Sequence, residues 1–360
     1  MPSCIPHRVS AVRILVDISH PAHVHLFRNA IGVWRGRGDD VLITAREKEV
    51  VTALLTRYGL PFETLTRQRR GVVGLGLELL QRDWRLWRRA RRFHPQFLIG
   101  TSPSAAHVSR LVGGTSIFFT DDDRAVVPLL RLIAYPFAHR IVTPDAIRES
   151  YGRKHVKHPS YHKLAYLHPN RFTPDPRVRA ELGLAEGERF FILRFVSLQA
   201  HHDVKARGLS PQMKERLLRL LERHGRVFVS SESPLAPPFD ACRLPLAPDR
   251  FLDALAFADL LVSDSQSVTH EAAVLGTPSL RCNTFVGRIS VLEELEHRYG
   301  LTRGFRPDQA EELLRLAEEW AADRGLRAAC AQRRATMLAD KCDLTDWIVR
   351  FIDQCAASQG

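Results

Sequence analysis

The chain has 360 residues, a length typical of two domains, and its 45% content of hydrophobic residues is enough to form ordinary cores. Because no apolar run reaches the roughly 20 residues that span a bilayer, and the N-terminus lacks the apolar core of a signal peptide, we expect a cytoplasmic protein. The six cysteines are scattered without ligand spacing, which argues against a zinc site. The net charge of +12, mostly arginine, indicates an anionic partner or simply an arginine-rich composition.

The first half of the chain alternates strand-like and helix-like segments. Residues 12–18, VRILVDI, form an apolar and β-branched run that predicts a strand covered on both faces. The apolar spacing over residues 23–35 predicts the helix that follows. The same criteria predict further strands at 39–46, 62–66, 95–101, 115–120 and 139–144, and helices at 47–61 and around 105–112.

Residues 71–95 predict a glycine-rich loop followed by a basic amphipathic helix. Four large side chains can share one broad face, and six arginines flank or oppose it: Leu79, Leu80, Trp84 and Trp87, with Arg82, Arg85, Arg88, Arg89, Arg91 and Arg92. Tryptophan beside arginine suits an anionic membrane interface, so residues 79–92 are a candidate segment for peripheral contact with the inner face of a membrane. The alternatives are a solvated helix whose tryptophans pack on the sheet, and a nucleic-acid surface, which no other motif supports.

Three adjacent carboxylates follow the strand predicted at 115–120. Asp121 is a candidate substrate-binding residue because it lies at the carboxyl end of that strand. Successive side chains do not point to one spot, so we predict no metal site from Asp121, Asp122 and Asp123.

A proline-rich stretch at 161–176 predicts a linker, and a second alternating series follows it. Ser210 and Pro211 have the positions of an N-cap and a first helical residue. The second series predicts strands at 189–196, 226–232, 259–265 and 278–283, and helices at 210–225, 247–258 and 268–276. Two such series predict an α/β protein with two doubly wound domains that face each other across a cleft.

The stretch DSQSVTHEAAVLG carries the clearest candidate binding site. A strand ends there in a short polar turn, and the next helix is predicted to begin around Val268. Backbone N–H groups at a helix N-terminus bind phosphate, and Glu271, about one turn into the helix, has a position from which it can bind ribose hydroxyls. The turn residues proposed to contact phosphate are Ser265, Gln266 and Ser267. The alternative is a plain N-cap, with Ser267 and Glu271 forming a capping box.

The longer segment DSQSVTHEAAVLGTPSL resembles the donor-binding signature of the GT-B superfamily. It is close to the DSGG-x-x-E-A-x-x-x-G-x-P stretch of the non-hydrolysing UDP-N-acetylglucosamine 2-epimerases. It also resembles the corresponding stretch of the bacterial transferase that adds N-acetylglucosamine to the lipid-linked cell-wall precursor. The glycines of that turn are here Gln266 and Ser267, and glycine is the residue that allows the closest backbone approach.

The whole chain resembles the "domain of unknown function 354" family, which is similar to GT-B proteins. The matching stretches include ILVDISHPAHVHLFRNAI, TSPSAAHVSRLVGGTSIFFTDDDRA and KLAYLHP. The resemblance implies a GT-B-like fold with an acceptor-side domain at 9–160, a linker at 161–176 and a nucleotide-sugar-binding domain at 177–340. It further implies that a C-terminal helix within 341–360 packs back on the first domain, that the donor is UDP-linked, and that no cofactor is needed.

Three polar residues lie at the end of the first strand or just after it. PAHVH can be aligned with the G-G-H-V element of the cell-wall transferase, which implies that His23 is the general base. The unperturbed pKa of imidazole, near ~6.5, suits that role. His20 is better placed to contact phosphate or substrate, and Asp17 can orient an imidazole by accepting its N–H.

The first strand of the second domain ends near further candidates for donor binding. Arg194 has the position to meet a diphosphate, and the following loop contributes His201 and His202. The 2-epimerases carry an H-R-R-E-N-like segment there, and an aspartate where this chain has GTSPS at 100–104. We therefore expect a glycosyltransferase that acts on a lipid-linked or envelope glycan, ahead of an epimerase-like enzyme or a nucleotide-sugar-binding protein without catalysis.

Overall fold

The computed structural model describes residues 11–67, 69, 71–196 and 208–358. Its internal contacts divide the chain into two compact units. The first unit runs to Tyr166 and takes in the C-terminal segment from Asp343, and the second unit is Leu167–Cys342. The division between them falls inside the segment that the sequence predicts as a linker.

The first unit is built on a sheet of seven parallel strands in the order β3-β2-β1-β4-β5-β6-β7. The strands are β1 (Arg13–Ile18), β2 (Asp40–Glu47), β3 (Glu63–Arg67), β4 (Phe97–Gly100), β5 (Thr115–Phe119), β6 (Arg140–Pro144) and β7 (His155–His158). The helices are α1 (Pro21–Gly36), α2 (Glu49–Arg57), α3 (Val72–Phe93), α4 (Pro103–Val112), α5 (Pro128–Ile133), α6 (Leu164–Leu167) and, at the C-terminus, α14 (Leu344–Ala357). The strand β1 is buried over its last five residues, as expected for an apolar strand covered on both faces.

The sheet order changes direction at β1, which pairs with β2 on one side and with β4 on the other. Asp17 lies opposite Gly100 in this pairing. A Cβ atom on Gly100 would lie 2.8 Å from the Asp17 carbonyl oxygen, so the two strands approach this closely only with glycine there. The loops after β1 and β4 therefore begin side by side at the carboxyl edge, where open α/β sheets bind ligands.

The second unit is built on five parallel strands in the order β12-β11-β10-β8-β9. The strands are β8 (Phe190–Phe195), β9 (Arg226–Ser231), β10 (Leu260–Ser263), β11 (Ser279–Cys282) and β12 (Thr302–Phe305). The helices are α7 (Val178–Glu181), α8 (Pro211–Glu222), α9 (Phe251–Phe257), α10 (Gln266–Leu275), α11 (Ser290–His297), α12 (Ala310–Ala322) and α13 (Leu326–Asp340). Here the order changes direction at β8, so the loops after β8 and β10 begin side by side.

The C-terminal helix α14 packs against α1 within the first unit. Its buried face carries Leu344, Ile348 and Ile352. The Arg37 guanidinium binds the Asp353 carboxylate with N–O distances of 2.8 and 3.0 Å. The apolar face and this ion pair together explain why the C-terminal helix belongs to the first unit.

The α/β class and the two doubly wound sheets are confirmed, with differences at particular elements. The helix α3 begins at Val72, so the glycine-rich stretch predicted as a loop is helical. The helix α10 begins at Gln266, two residues before the predicted start. The strand β7, with the sequence HVKH, was not predicted because its polar residues lack an apolar pattern. No helix in the described ranges has both the length and the apolarity to cross a bilayer.

Candidate functional site

His20 lies at the carboxyl edge of the first sheet and caps α1. Its Nδ1 accepts a hydrogen bond from the Ala22 backbone N–H at 3.2 Å, so the ring proton is on Nε2. Desolvation by the surrounding protein, followed by the charges of Lys48 and Lys163, lowers the pKa of His20 to about 4, although part of the side chain reaches solvent. At neutral pH His20 is therefore an uncharged cap that presents one N–H donor.

His23 lies in the first turn of α1, close to the loop after β4. The Thr101 hydroxyl oxygen is 2.7 Å from each ring nitrogen, and the Ser19 hydroxyl oxygen is 3.4 Å from Nδ1. The His20 ring centroid is 5.6 Å away. Burial, and then the neighbouring His20, lower the pKa of His23 well below its usual value, with Asp121 acting in the opposite direction. His23 is thus a neutral imidazole at physiological pH.

Asp17 is fully buried, and its carboxylate has partners that the sequence did not predict. Its Oδ1 accepts hydrogen bonds from Arg82 Nη2 at 2.7 Å and from Thr44 Oγ1 at 2.8 Å, and its Oδ2 accepts one from the Ser102 hydroxyl. Among the hydrogen bonds of the described residues, none joins Asp17 to a histidine. Arg82, expected on the exposed basic helix, is only 4% exposed and forms a buried ion pair with Asp17.

Asp121 and Asp122 follow β5 and lie near His162. Asp121 Oδ1 is 3.3 Å from His162 Nδ1, and the His162 side chain is buried. Desolvation, and then the charge of Asp121, raise the pKa of Asp122 to about 7, although His162 and Lys163 act against the shift. This edge therefore has a carboxyl group that can exchange a proton near neutral pH. No group of three metal-binding side chains occurs in the part of the chain that the structure describes.

Sequence reasoning missed His162 and Arg82 for the same reason. His162 lies in the segment predicted as a linker, and Arg82 lies 65 residues from Asp17. No local pattern brings either residue to the edge of the sheet. A buried aspartate at a strand end was the one available signal, since such a carboxylate needs a charged or hydrogen-bonding partner.

Arg194 occupies the corresponding edge of the second sheet, one residue before the end of β8. Its Nη1 donates to Ser230 Oγ at 2.8 Å, and its Nη2 donates to Glu232 Oε1 at 3.0 Å. The strand β10 lies beside it, with Ser263 opposite Arg194. The guanidinium is thus held in a defined place by a neutral partner and by a carboxylate that is 48% exposed.

The start of α10 follows β10 directly. Ser265 is the N-cap, because its Oγ accepts the Val268 backbone N–H at 3.3 Å. Gln266 and Ser267 are therefore the first helical residues, so Ser267 is not the N-cap that the alternative of a capping box with Glu271 requires. The N–H groups of this first turn point toward the same edge of the sheet as the end of β8. The local sequence folds this way because serine at the N-cap satisfies a donor that the helix leaves free.

A cavity of about 510 Å³ in the second unit brings two of the predicted donor-binding residues together. Arg194 and Glu271 both line it, as does Val268 of α10. The other lining residues include Ser230, Ser231, Ser233, Leu244, Leu246 and Phe251. The volume and the mixture of apolar and polar walls are typical of a small-molecule site. Ser265, Gln266 and Ser267 are not among its lining residues, and His201 and His202 lie outside the described residues.

Part of the first unit matches a protein-family model. Residues 12–162 match the family model of DUF354, a protein of unknown function. The DUF354 match extends from β1 to the end of the first sheet and includes His20, His23 and Asp121. The resemblance to DUF354 that the sequence motifs indicated is thereby confirmed. No curated protein matches the chain.

Solved structures with the same architecture confirm the GT-B-like fold. A UDP-N-acetylglucosamine 2-epimerase is 13% identical, with a TM-score of 0.65 over 90% of this chain and 91% of that one. Spinosyn forosaminyltransferase SpnP is 14% identical, with a TM-score of 0.66 over 97% and 100%. MurG of Acinetobacter baumannii is 13% identical, with a TM-score of 0.59 over 95% and 99%. At these identities the chain shares with them a fold of two Rossmann-like domains.

Proposed function

We propose that this protein is a GT-B-type glycosyltransferase that moves a sugar from a UDP-linked donor to an acceptor hydroxyl. The observation that carries the proposal is the cavity of the second unit. Arg194 and Glu271 both line this cavity, and Arg194 lies on β8, where the sheet order changes direction. Ligands of open α/β sheets bind at such points. UDP and the transfer reaction are supported by the resemblance to the donor-binding signature of GT-B proteins.

The donor is proposed to bind through its charged and hydroxyl groups. Arg194 offers a guanidinium suited to two phosphate oxygens, and the first turn of α10 offers backbone N–H groups at the positive end of a helix dipole. Because Glu232 occupies one side of that guanidinium, the diphosphate would replace it as the partner of Arg194. Glu271 is proposed to accept hydrogen bonds from the ribose hydroxyls, and His201 and His202 to contact the donor.

His23 is proposed to accept the proton of the attacking hydroxyl. Its lowered pKa keeps the ring neutral, so the base form is present throughout the physiological range, and Asp121 favours the imidazolium that forms after proton transfer. His20 would contribute its Nε2–H to the donor phosphate or to the substrate. Asp17 would act through Arg82, whose buried charge it compensates.

Epimerisation is the second candidate, and Asp122 favours it. A 2-epimerase must remove and return a proton at carbon, which suits a carboxyl group whose pKa lies near neutrality. Burial and Asp121 raise the pKa of Asp122 to about 7. Incubation with UDP-N-acetylglucosamine and no acceptor separates the candidates, because only an epimerase converts it to the manno sugar.

The acceptor is proposed to be a lipid-linked or envelope glycan. The support is the basic, tryptophan-containing segment at 79–92, whose composition suits peripheral contact with the inner face of a membrane. A soluble acceptor is the alternative. The proposal places the protein in the cytoplasm, with nucleotide-sugar and acceptor glycan as its partners and no nucleic acid.

The donor assignment is tested by calorimetry with UDP-N-acetylglucosamine on wild type and Glu271→Ala. Loss of a hydrogen bond to a ribose hydroxyl costs about 1–3 kcal/mol, so affinity should fall about 5- to 150-fold. Glu186→Ala is the matched control, since Glu186 is an exposed glutamate of the same unit that does not line the cavity. Equal affinity of Glu271→Ala and the control would remove Glu271 from the site.

A further inference from the structure

Exposed apolar side chains are concentrated in one part of the molecule. Nine large hydrophobic residues are exposed among the described residues, and all nine belong to the first unit. One is Val50 on α2, and the other eight extend from α3 to the turn after α5: Val73, Leu77, Leu80, Trp84, Leu111, Leu129, Leu132 and Phe137. A concentration of this kind marks an interaction surface.

The helix α3 presents one apolar stripe to solvent. Val73, Leu77, Leu80 and Trp84 follow the spacing of a single helix face, and they are 78%, 52%, 67% and 53% exposed. The exposed face differs from the predicted one. Leu79 is half-buried, Trp87 packs against the core, and Arg82 faces inward. The exposed stripe therefore consists of four side chains over three turns.

Contacts around His107 of α4 join α3 and α5 on either side. His107 Nδ1 is 2.7 Å from Asp83 Oδ2 of α3, and its Nε2 is 2.5 Å from the Ile133 carbonyl oxygen of α5. The Phe137 ring lies edge-on to the imidazole at 4.8 Å. The helices that carry the other exposed apolar residues are therefore neighbours, with α4 in contact with both α3 and α5. We call these eight exposed side chains the three-helix surface.

The charge around the three-helix surface has one sign. The acidic residues of α3, α4 and α5 are Glu78 and Asp83. Glu78 is buried against Arg46, and Asp83 is bound to His107. The exposed charged residues of the same helices are all arginines: Arg85, Arg88, Arg91, Arg92, Arg110 and Arg131. The Arg88 guanidinium lies 4.9 Å from the centroid of the Trp84 ring in a cation–π contact, and tryptophan is enriched at membrane interfaces.

We infer that the three-helix surface binds an anionic phospholipid bilayer. Burial of the apolar side chains at the acyl boundary lowers the free energy of binding. Electrostatic attraction between the surrounding arginines and the lipid phosphates lowers it further. A second copy of the chain fits less well, because a two-fold contact would set the arginines of one surface against those of the other. The inference does not rest on the proposed reaction, and it extends the predicted contact from one helix to three.

The inference is tested by sedimentation of the full chain with vesicles of about three parts phosphatidylcholine to one part phosphatidylglycerol. The protein should bind these vesicles, bind pure phosphatidylcholine weakly, and dissociate as salt is raised. The pair Leu80→Ser and Leu132→Ser should reduce binding about 10- to 100-fold. The pair Arg88→Gln and Arg92→Gln should reduce it about fivefold for each charge removed.

Matched controls separate the surface from general effects of substitution. Val50→Ser changes the one large hydrophobic residue, among those the structure describes, that is exposed outside the surface. Arg315→Gln removes an exposed helix arginine of the second unit, so both variants should bind like wild type. Because every substituted side chain is exposed, the melting temperature should be unchanged. The inference would be overturned if the wild-type protein did not bind the anionic vesicles at low salt. It would also be overturned if the variant with both leucine substitutions bound them as tightly as wild type. Self-association that the leucine pair abolishes, without vesicle binding, would assign the surface to a second copy. None of these outcomes depends on nucleotide-sugar turnover.

Discussion

His23 and Asp122 have pKa values displaced in opposite directions at one edge of the first sheet. Burial and His20 lower the pKa of His23, whereas desolvation and Asp121 raise that of Asp122 to about 7. Acid–base sites typically contain two titratable groups whose surroundings shift their pKa values in opposite directions. The imidazole is the group that stays neutral at physiological pH, and the carboxyl group is the one that titrates near neutral pH.

We predict that Asp122→Asn changes how stability depends on pH. Folded Asp122 keeps its proton to about pH 7, whereas an unfolded aspartate releases it near 3.8, so wild-type stability should fall as pH rises through this window. The asparagine variant lacks that loss, and its stability relative to wild type should increase by about 2–4 kcal/mol between pH 4 and pH 8. Urea unfolding at both pH values measures the difference. The exposed Asp240→Asn is the control, and a wild-type pH profile for Asp122→Asn would contradict the assignment.

Sequence reasoning identified candidate residues at strand ends but not their partners. His20 and His23 could be found because they follow an apolar strand directly. The buried pair of Asp17 with Arg82 could not be found, since it depends on how α3 packs on the sheet. The arginine pattern of α3 indicated an exposed face, and only the fold shows which arginine turns inward.

The secondary-structure elements are set by short local signals, among which the serine N-caps are the clearest. Ser265 accepts the Val268 N–H at the start of α10, and Ser210 accepts the Met213 N–H at the start of α8. The N-cap of α8 was predicted from Ser210 and Pro211, whereas the start of α10 was predicted too late. Three adjacent polar residues before an apolar helix do not define which of them is the cap.

We predict that Ser265→Ala and Ser210→Ala have equal effects on stability and different effects on binding. Each removes an N-cap hydrogen bond, so each should lower the free energy of unfolding by about 1 kcal/mol. Only Ser265→Ala disturbs the helix start proposed to bind the diphosphate, so only this variant should weaken UDP binding. Urea unfolding and UDP calorimetry on the two purified variants measure both quantities. If the two variants bound UDP with equal affinity, the proposal that the start of α10 binds the diphosphate would be wrong.

At the scale of the whole molecule, the two doubly wound sheets were predictable because alternating apolar strands and amphipathic helices persist through the chain. The order of strands, β7, and the cavity beside Arg194 were not predictable, since they depend on contacts between distant segments. The concentration of exposed apolar residues in the first unit is also a property of the folded chain alone. Six of the arginines that contribute to the net charge of +12 are exposed on the same three helices as the exposed apolar residues. The sequence alone does not show this clustering.

The central claim is that the protein transfers a sugar from a UDP-linked donor. The most direct measurement follows UDP-N-acetylglucosamine by phosphorus NMR during incubation with the protein and a panel of polyprenyl-linked and soluble sugar acceptors. We predict that free UDP accumulates in step with glycosylated acceptor, and that His23→Ala slows this release about 10²- to 10⁴-fold while donor affinity stays at the wild-type value. Conversion to the manno sugar with UDP still attached, or a full transfer rate in His23→Ala, would contradict the account.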